Sequence, residues 1–161
     1  MLLAASFFSV HTSYGQCTSL GQTPSTAFPV CGTTVFQQTT VPICYTRALE
    51  VPGCNGGTIY WDKNPYWYRF TCFVSGSLAF TITPNDLNDD YDWQLYDITG
   101  RNPDYVFTNV ALVVTGNWSG SSGTTGASAT GSATIQCASN PASSTPRFAR
   151  SPNIVAGRTY L

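Results

Sequence analysis

The chain has 161 residues, a formal net charge of −1 and only 9% charged side chains. This length suffices for one domain with a hydrophobic core, and the sparse charge argues against nucleic acids and anionic membranes, which bind clustered Lys and Arg. Aromatic residues make up 14% of the chain, and Gly, Pro, Ser and Thr are abundant. This composition favours short strands joined by many loops over helices.

The N-terminus has the features of an export signal. Residues 2–10 form a short, mostly apolar run that cannot span a bilayer, and small residues follow at Ser13 and Gly15. We therefore predict a signal peptide over residues 1–15, with Gln16 as the new N-terminus. No positively charged leader precedes the apolar run, so we expect the signal to be incomplete at its start. A buried first strand is the alternative interpretation.

Six cysteines follow the predicted cleavage site, at positions 17, 31, 44, 54, 72 and 137. An even number in an exported chain indicates disulfides, and six cysteines allow fifteen pairings. The pairings that we predict are Cys17–Cys31, Cys44–Cys54 and Cys72–Cys137. A metal site built from cysteines is disfavoured, because no two are spaced as Cys-x-x-Cys and the only histidine, His11, lies in the signal.

The first half of the exported chain contains two strong strand signals. Residues 16–43 are rich in Thr, Pro and Gln, which is typical of an extended arm with short strands. Residues 66–74 are dominated by aromatic and β-branched side chains, and residues 78–83 alternate between apolar and polar side chains. The turn formers between these two segments predict that they pair as a hairpin.

The second half predicts further strands over residues 93–98, 110–115 and 133–138, and a last strand that begins at about residue 152 and is cut off at Leu161. Residues 119–134 consist only of Ser, Gly, Thr and Ala, a composition that we interpret as a long surface loop. No segment has a helical period of apolar residues, so little helix is expected. Residues 16–161 therefore predict one all-β domain, a disulfide-stapled, jelly-roll-like antiparallel β-sandwich lacking its final strand or strands.

The most distinctive segment spans residues 83–97. It holds five of the eight acidic residues and none of the seven basic ones, and four aspartates fall within seven positions. Carboxylates this close repel one another unless a cation or full solvation compensates, and calcium takes oxygen ligands from Asp- and Asn-rich loops. The predicted calcium ligands are Asp86, Asn88, Asp89, Asp90 and Asp92. The alternative is a solvated turn, because Asn and Asp also form turns through their side chains. The segment does not match the EF-hand pattern.

A second candidate site is a group of aromatic residues between positions 60 and 68. Exposed aromatic faces stack on sugar rings, whereas strand aromatics also pack in cores. Trp61 lies in the polar segment 61–64 and is the best candidate for exposure, with Tyr60 beside it. These two residues are the predicted ligand-binding residues for a carbohydrate.

Catalysis is not expected. After signal removal the chain has no histidine, which removes Ser-His-Asp and Cys-His systems. Lys63 is the only lysine and Glu50 the only glutamate, and neither has a supporting context. Adjacent loop aspartates rarely have the separate environments that acid–base catalysis by two carboxylates needs.

Three segments together resemble a known family. Residues 67–70 (Trp-Tyr-Arg-Phe), 76–82 (Gly-Ser-Leu-Ala-Phe-Thr-Ile) and 90–97 (Asp-Tyr-Asp-Trp-Gln-Leu-Tyr-Asp) resemble, in this order, the bacterial pre-peptidase C-terminal (PPC-like) jelly-roll domain. Residues 157–161 are similar to its Gly-x-Tyr strand. The cysteine-rich front and the Gly/Ser/Thr/Ala segment resemble the variant in large secreted proteins of gliding bacteria, which carry PKD repeats and a C-terminal sorting domain.

The resemblance implies an accessory domain that is not a catalyst, and some members of this family bind calcium, collagen or polysaccharide. The acidic pair of the family would correspond to Asp90 and Asp92. We therefore expect a secreted or cell-surface structural or adhesion domain stabilised by calcium. Its partners would be other domains of the same polypeptide and extracellular polysaccharide or protein, with no nucleic acid and no membrane insertion. The alternative is a carbohydrate-binding accessory domain of a secreted hydrolase whose catalytic part lies outside this chain.

Overall fold

The computed structural model describes residues 17–30, 35–41, 46–54, 60–137 and 145–161. Within these ranges the chain forms twelve short β-strands and three short 3₁₀ helices, which confirms the predicted all-β class. No helix in the described ranges has the length and apolar character needed to cross a membrane. The predicted signal peptide, residues 1–15, lies outside the described residues.

The strands are β1 (Phe28–Pro29), β2 (Ala48–Leu49), β3 (Tyr60–Trp61), β4 (Tyr68–Thr71), β5 (Gly76–Ser77), β6 (Phe80–Ile82), β7 (Trp93–Tyr96), β8 (Val113–Asn117), β9 (Thr125–Ser128), β10 (Phe148–Arg150), β11 (Asn153–Ile154) and β12 (Thr159–Tyr160). The 3₁₀ helices are η1 (Pro24–Thr26), η2 (Pro103–Phe107) and η3 (Val110–Leu112). Each of these helices follows a Thr or Asn whose side chain accepts a hydrogen bond from a backbone N–H in the first turn.

The first sheet has the order β1-β4-β12, with β1 parallel and β12 antiparallel to β4. Residues 96–98 continue it on the far side of β12, because the N–H of Tyr96 donates to the carbonyl of Leu161 at 2.9 Å and that of Ile98 to the carbonyl of Thr159 at 2.9 Å. The β7–β8 pair is thereby joined to this sheet. Pro29 is tolerated in β1 because an edge strand leaves one side of its backbone unpaired.

The second sheet has the order β10-β9-β6, and β5 pairs with β11 beside it. Its central strand, β9 (Thr125–Ser128), lies in the Ser/Gly/Thr/Ala segment, so the prediction of a surface loop over residues 119–134 is wrong for these four residues. The small side chains are needed for close packing rather than for flexibility. Gly126 in β9 has φ of +146°, and a Cβ there would clash with the carbonyl oxygen of Phe80 in the neighbouring strand.

Two hydrophobic cores lie on opposite faces of the first sheet. We call the one between the two sheets the intersheet core; its buried members are Cys72, Trp93, Leu95, Ala127, Ala149 and Tyr160. We call the other the stapled core; its buried members are Ala27, Leu49, Val51, Cys54, Tyr60, Trp67, Tyr96, Ile98, Val106, Leu112, Trp118 and Leu161. Successive residues point to opposite cores, as Tyr160 and Leu161 do, which agrees with strand geometry. Two facing sheets make the core sandwich-like, and the jelly-roll connectivity stays a prediction.

The disulfide pairing differs from the prediction. Cys54 bonds Cys137 across a sequence separation of 83 residues, with the Cα atoms 5.6 Å apart. The predicted pairs Cys72–Cys137 and Cys44–Cys54 are therefore wrong. Cys72 is a buried free thiol in the intersheet core, and the first sheet separates it from Cys54 and Cys137, which belong to the stapled core.

Only one cysteine of the predicted N-terminal disulfide lies among the described residues. Cys17 is disulfide-bonded, and its predicted partner, Cys31, lies outside the described residues, as does Cys44. The pairing Cys17–Cys31 therefore stays a prediction.

The predicted hairpin is also wrong. The two segments do form strands, but β4 pairs with β1 and β12, whereas β6 pairs with β9. In the second half, residues 110–112 form η3 and the strand runs over Val113–Asn117. Residues 133–137 are not in a strand, and residues 152–161 contain two short strands, β11 and β12, in place of one.

Candidate functional site

The acidic loop, residues 83–92, connects β6 of the second sheet to β7 of the first. Its first part is a side-chain-stabilised turn. The Oδ1 of Asp86 accepts hydrogen bonds from the backbone N–H and the side-chain amide of Asn88, at 2.9 and 3.0 Å. The N–H of Asp89 donates to the carbonyl of Asp86 at 3.0 Å. One oxygen of Asp86 is thus already committed to shaping the turn.

A second contact attaches the loop to the body of the domain. The N–H of Gly123, just before β9, donates to the carbonyl of Asp89 at 2.9 Å. The guanidinium of Arg147 lies beside this connection and donates to the carbonyl of Ser122 at 3.0 Å. The acidic loop therefore has a defined backbone position against the β8–β9 connection.

Asp90 and Asp92 are the two carboxyl groups of the loop whose pKa values are raised. Desolvation by the surrounding protein, followed by the nearby charge of Asp90, raises the pKa of Asp92 to about 7. Desolvation also raises the pKa of Asp90. Both residues keep much of their surface in solvent, so solvent screening reduces the free energy that corresponds to these pKa shifts. Among the described residues, no positive charge lowers either pKa, so the protein does not compensate the charge of these two carboxylates.

The loop matches calcium in the kind of donor but not in the number of charged ligands. Carboxylate, amide and carbonyl oxygens are ligands that calcium prefers, about six to eight at a time. Among the described residues, no three His, Cys, Asp or Glu side chains come together as a metal-binding group. Of the five predicted ligands, the structure couples Asp90 to Asp92 and uses Asp86 and Asn88 in a turn. Backbone carbonyls and water would have to complete any calcium shell.

The two predicted sugar-binding residues have opposite environments. Trp61 is 44% exposed, which confirms the expected exposure. Tyr60 is only 6% exposed and packs edge-on against Trp118, with ring centroids 5.1 Å apart. Tyr60 therefore belongs to the stapled core and presents no ring face to a sugar. This follows from strand geometry, because adjacent residues of β3 point to opposite sides.

A larger aromatic surface lies at the edge of the first sheet. This aromatic patch consists of Phe28, Phe36, Tyr66 and Tyr68, whose ring centroids are 4.9–6.4 Å apart in contacting pairs. Phe36 and Tyr68 are exposed, and the hydroxyl of Tyr68 donates to Oε1 of Gln38 at 3.2 Å. Desolvation, followed by the charge of Tyr66, raises the pKa of Tyr68. Phe28 and Phe36 were not among the predicted site residues, because no local sequence pattern connects residues 16–43 to residues 66–68.

Comparisons of the chain with protein-family models, with curated proteins and with solved structures find no match. The resemblance to the PPC-like domain therefore rests on the sequence segments alone.

Proposed function

We propose that this chain is a non-catalytic, extracellular structural or adhesion domain of a larger secreted or cell-surface protein. The observation that carries this proposal is the Cys54–Cys137 bond, together with the disulfide bonding of Cys17. Structural disulfides persist in oxidising compartments and are rare in the cytosol. A bond that joins segments 83 residues apart is suited to a domain that must stay folded outside the cell.

The positions of the carboxylates favour a non-catalytic role. Asp90 and Asp92 have raised pKa values, which is also a feature of catalytic acids. However, neither residue lines either of the two described cavities, and both lie in an exposed loop. Catalytic carboxylates are usually placed in a concave site that excludes water, so ion binding fits this pair better than acid–base chemistry.

We further propose that calcium binds the acidic loop through Asp90 and Asp92 and stabilises the domain. A ligand that binds only the folded state raises the melting temperature in a concentration-dependent way. The test is a thermal melt in millimolar calcium and in EDTA. A rise of several degrees is expected for the wild type and not for the double variant Asp90→Asn/Asp92→Asn. Glu50→Gln, which removes an exposed carboxylate outside the loop, should keep the response. Equal melting with calcium and EDTA would leave the loop a solvated turn.

The pH dependence sharpens this test. Without calcium, the folded-state pKa of Asp92 is about 7, above the ordinary value of 3.8. The folded state therefore binds the extra proton, and its contribution to stability is complete below about pH 4 and lost as the pH rises through about 7. Calcium requires the ionised carboxylate, so its stabilisation should grow between about pH 6 and about pH 8. A calcium effect that does not change over this range would contradict binding at Asp92.

The second candidate function is a carbohydrate-binding accessory domain, favoured by the exposure of Trp61 and by the aromatic patch. Aromatic faces stack on the apolar faces of neutral sugars. The test is the retention of the chain on immobilised neutral polysaccharides, with Trp61→Ala and Tyr68→Ala as separate variants. Tyr105→Ala removes an exposed ring outside both surfaces and serves as the control. Retention that neither Trp61→Ala nor Tyr68→Ala weakens would exclude these surfaces.

A further inference from the structure

The first sheet carries a shallow depression of about 360 Å³ that is unrelated to the acidic loop. Its lining includes Arg69, Thr71, Gly100, Arg101 and Thr159. None of its described lining residues is acidic, and two of the chain's seven basic residues line it. A concave surface with this composition attracts anions.

Paired strands build the floor of the depression. Thr71 in β4 and Thr159 in β12 are cross-strand partners, and their hydroxyl oxygens lie 3.4 Å apart. Arg69 precedes Thr71 on the same face of β4, and its carbonyl accepts the N–H of Val30 at 2.8 Å. The backbone positions of the hydroxyl pair and of one arginine are thus determined by sheet hydrogen bonds.

A tight turn builds the wall. The N–H of Arg101 donates to the carbonyl of Ile98 at 2.9 Å, and Gly100 has φ of +65°, which glycine adopts without strain. The N–H of Thr159 donates to Oγ1 of Thr99 at 3.0 Å, which attaches this turn to β12. Arg101 is therefore also presented from a rigid element, 32 positions after Arg69 in the sequence.

The neighbouring carboxylates are engaged elsewhere. Asp97 accepts a hydrogen bond from Arg158 at 2.5 Å and another from the hydroxyl of Thr99 at 2.6 Å. Asp104 accepts from the hydroxyl of Ser25 at 3.1 Å and lies 3.8 Å from the guanidinium of Arg47. Within the described ranges, neither Arg69 nor Arg101 forms an ion pair. These two guanidiniums remain available for an external anion.

We propose that this depression binds an oxyanion, a sulfate or carboxylate group, carried by an extracellular acidic polysaccharide. Guanidinium groups bind such oxygens in a bidentate way, and threonine hydroxyls add hydrogen bonds. The depression is small and the rest of the chain has few charges, so it suits one anionic substituent rather than a nucleic acid, which needs a basic stripe. The choice of a polysaccharide as the carrier of the anion rests on the proposed extracellular adhesive function. The existence of the anion site rests on the geometry alone.

The anion site is tested by NMR on the full, isotope-labelled chain, titrated with sodium sulfate against sodium chloride at equal ionic strength. Saturable shifts are expected at the amides of Thr71, Arg101 and Thr159. The double variant Arg69→Gln/Arg101→Gln should bind sulfate at least about tenfold more weakly. The control Lys63→Gln/Arg150→Gln removes the same charge at exposed positions outside the depression and should bind as the wild type does. If the double variant does not fold, Arg101→Gln alone can be used instead. It replaces one side chain in the turn and should also weaken sulfate binding.

Equal shifts in the wild type and in the Arg69/Arg101 variants would overturn the site. The source is tested with dextran sulfate, a polyuronate and neutral dextran. Either acidic polymer should bind at least about tenfold more tightly, per anionic group, than the free ion, and neutral dextran should not bind. Binding of free sulfate without binding of either polymer would overturn the polysaccharide source. The calcium test depends on Asp90 and Asp92, whereas the sulfate test depends on Arg69 and Arg101. A negative result in one test therefore leaves the other unaffected.

Discussion

The stapled core and the intersheet core lie on opposite faces of the first sheet, and they differ in whether their buried polar atoms have hydrogen-bond partners. In the stapled core, three buried polar atoms have no hydrogen-bond partner among the described residues: the hydroxyls of Tyr60 and Tyr96 and the indole nitrogen of Trp67. In the intersheet core, the indole nitrogen of Trp93 donates to Oγ1 of Thr125 at 3.1 Å, and this hydroxyl donates to the carbonyl of Arg147 at 2.5 Å.

This difference follows from what surrounds each core. Regular strands on both sides of the intersheet core hold the side chains in a defined register, so each buried hydrogen-bond donor can face an acceptor. The stapled core is closed on one side by 3₁₀ helices, the short β2–β3 pair and the segment around Cys54. Each unpaired polar atom costs about 1–3 kcal/mol, and the Cys54–Cys137 bond offsets part of this cost. The comparison predicts that the two cores respond differently to substitution.

The largest effect is expected from Gly126→Val, which targets the close packing of the second sheet. A valine there would clash with the backbone of Phe80 and would have to adopt φ of +146°. We expect a loss on the order of 5 kcal/mol in the free energy of unfolding, measured by urea denaturation. Gly120→Val is the control, because no described residue beyond its two chain neighbours has an atom within 4 Å of the Cβ position. Similar stability of the two variants would show that β9 is not packed as described.

The next effect is expected from Cys54→Ser/Cys137→Ser, which removes the bond that closes the stapled core. Loop closure across 83 residues corresponds to a loss of about 4–5 kcal/mol. Cys72→Ser should cost much less, because Cys72 is free and its hydroxyl replacement can still donate to the carbonyl of Val74, as the thiol does at 3.1 Å. Thermal melts of the two variants measure the difference. A loss of several kcal/mol in Cys72→Ser, close to that of the double variant, would favour the predicted Cys72–Cys137 pairing.

A smaller loss, about 2 kcal/mol, is expected from Thr125→Val in the intersheet core. Valine has nearly the same shape, but it leaves the indole nitrogen of Trp93 and the carbonyl of Arg147 without their partner. Thr81→Val makes the same change on an exposed face of β6 and should be close to neutral. Urea denaturation of both variants checks this prediction, and equal stabilities would contradict the described hydrogen-bond network.

The smallest effect, and the only gain, is expected from Tyr96→Phe in the stapled core. The hydroxyl of Tyr96 is buried and has no partner in the part of the chain that the structure describes. Its removal should leave stability unchanged or raise it by up to about 1 kcal/mol, because the small cavity left by the oxygen offsets part of the gain. The same denaturation experiment applies. A loss of more than about 1 kcal/mol would mean that this hydroxyl is hydrogen-bonded, and the contrast between the two cores would disappear.

Local patterns predicted strands well and their partners poorly. The aromatic and alternating segments around β4, β6 and β7 are strands as expected, because alternation directly reports which side chains share a face. The hairpin between β4 and β6 was wrong because alternation carries no information about which strand lies alongside. Residues 119–134 were assigned to a loop because small residues lack a hydrophobic pattern, although that smallness is what lets β9 fit between β6 and β10.

Composition and local side-chain spacing were enough to predict the all-β class, the concentration of carboxylates in the acidic loop and the exposure of Trp61. Local patterns could not predict that Cys54 bonds Cys137, that Tyr60 is buried or that Arg69 and Arg101 line one depression. These features depend on contacts between residues far apart in the chain. Which of them form depends on how the whole set of strands buries its apolar surface and pairs its backbone groups.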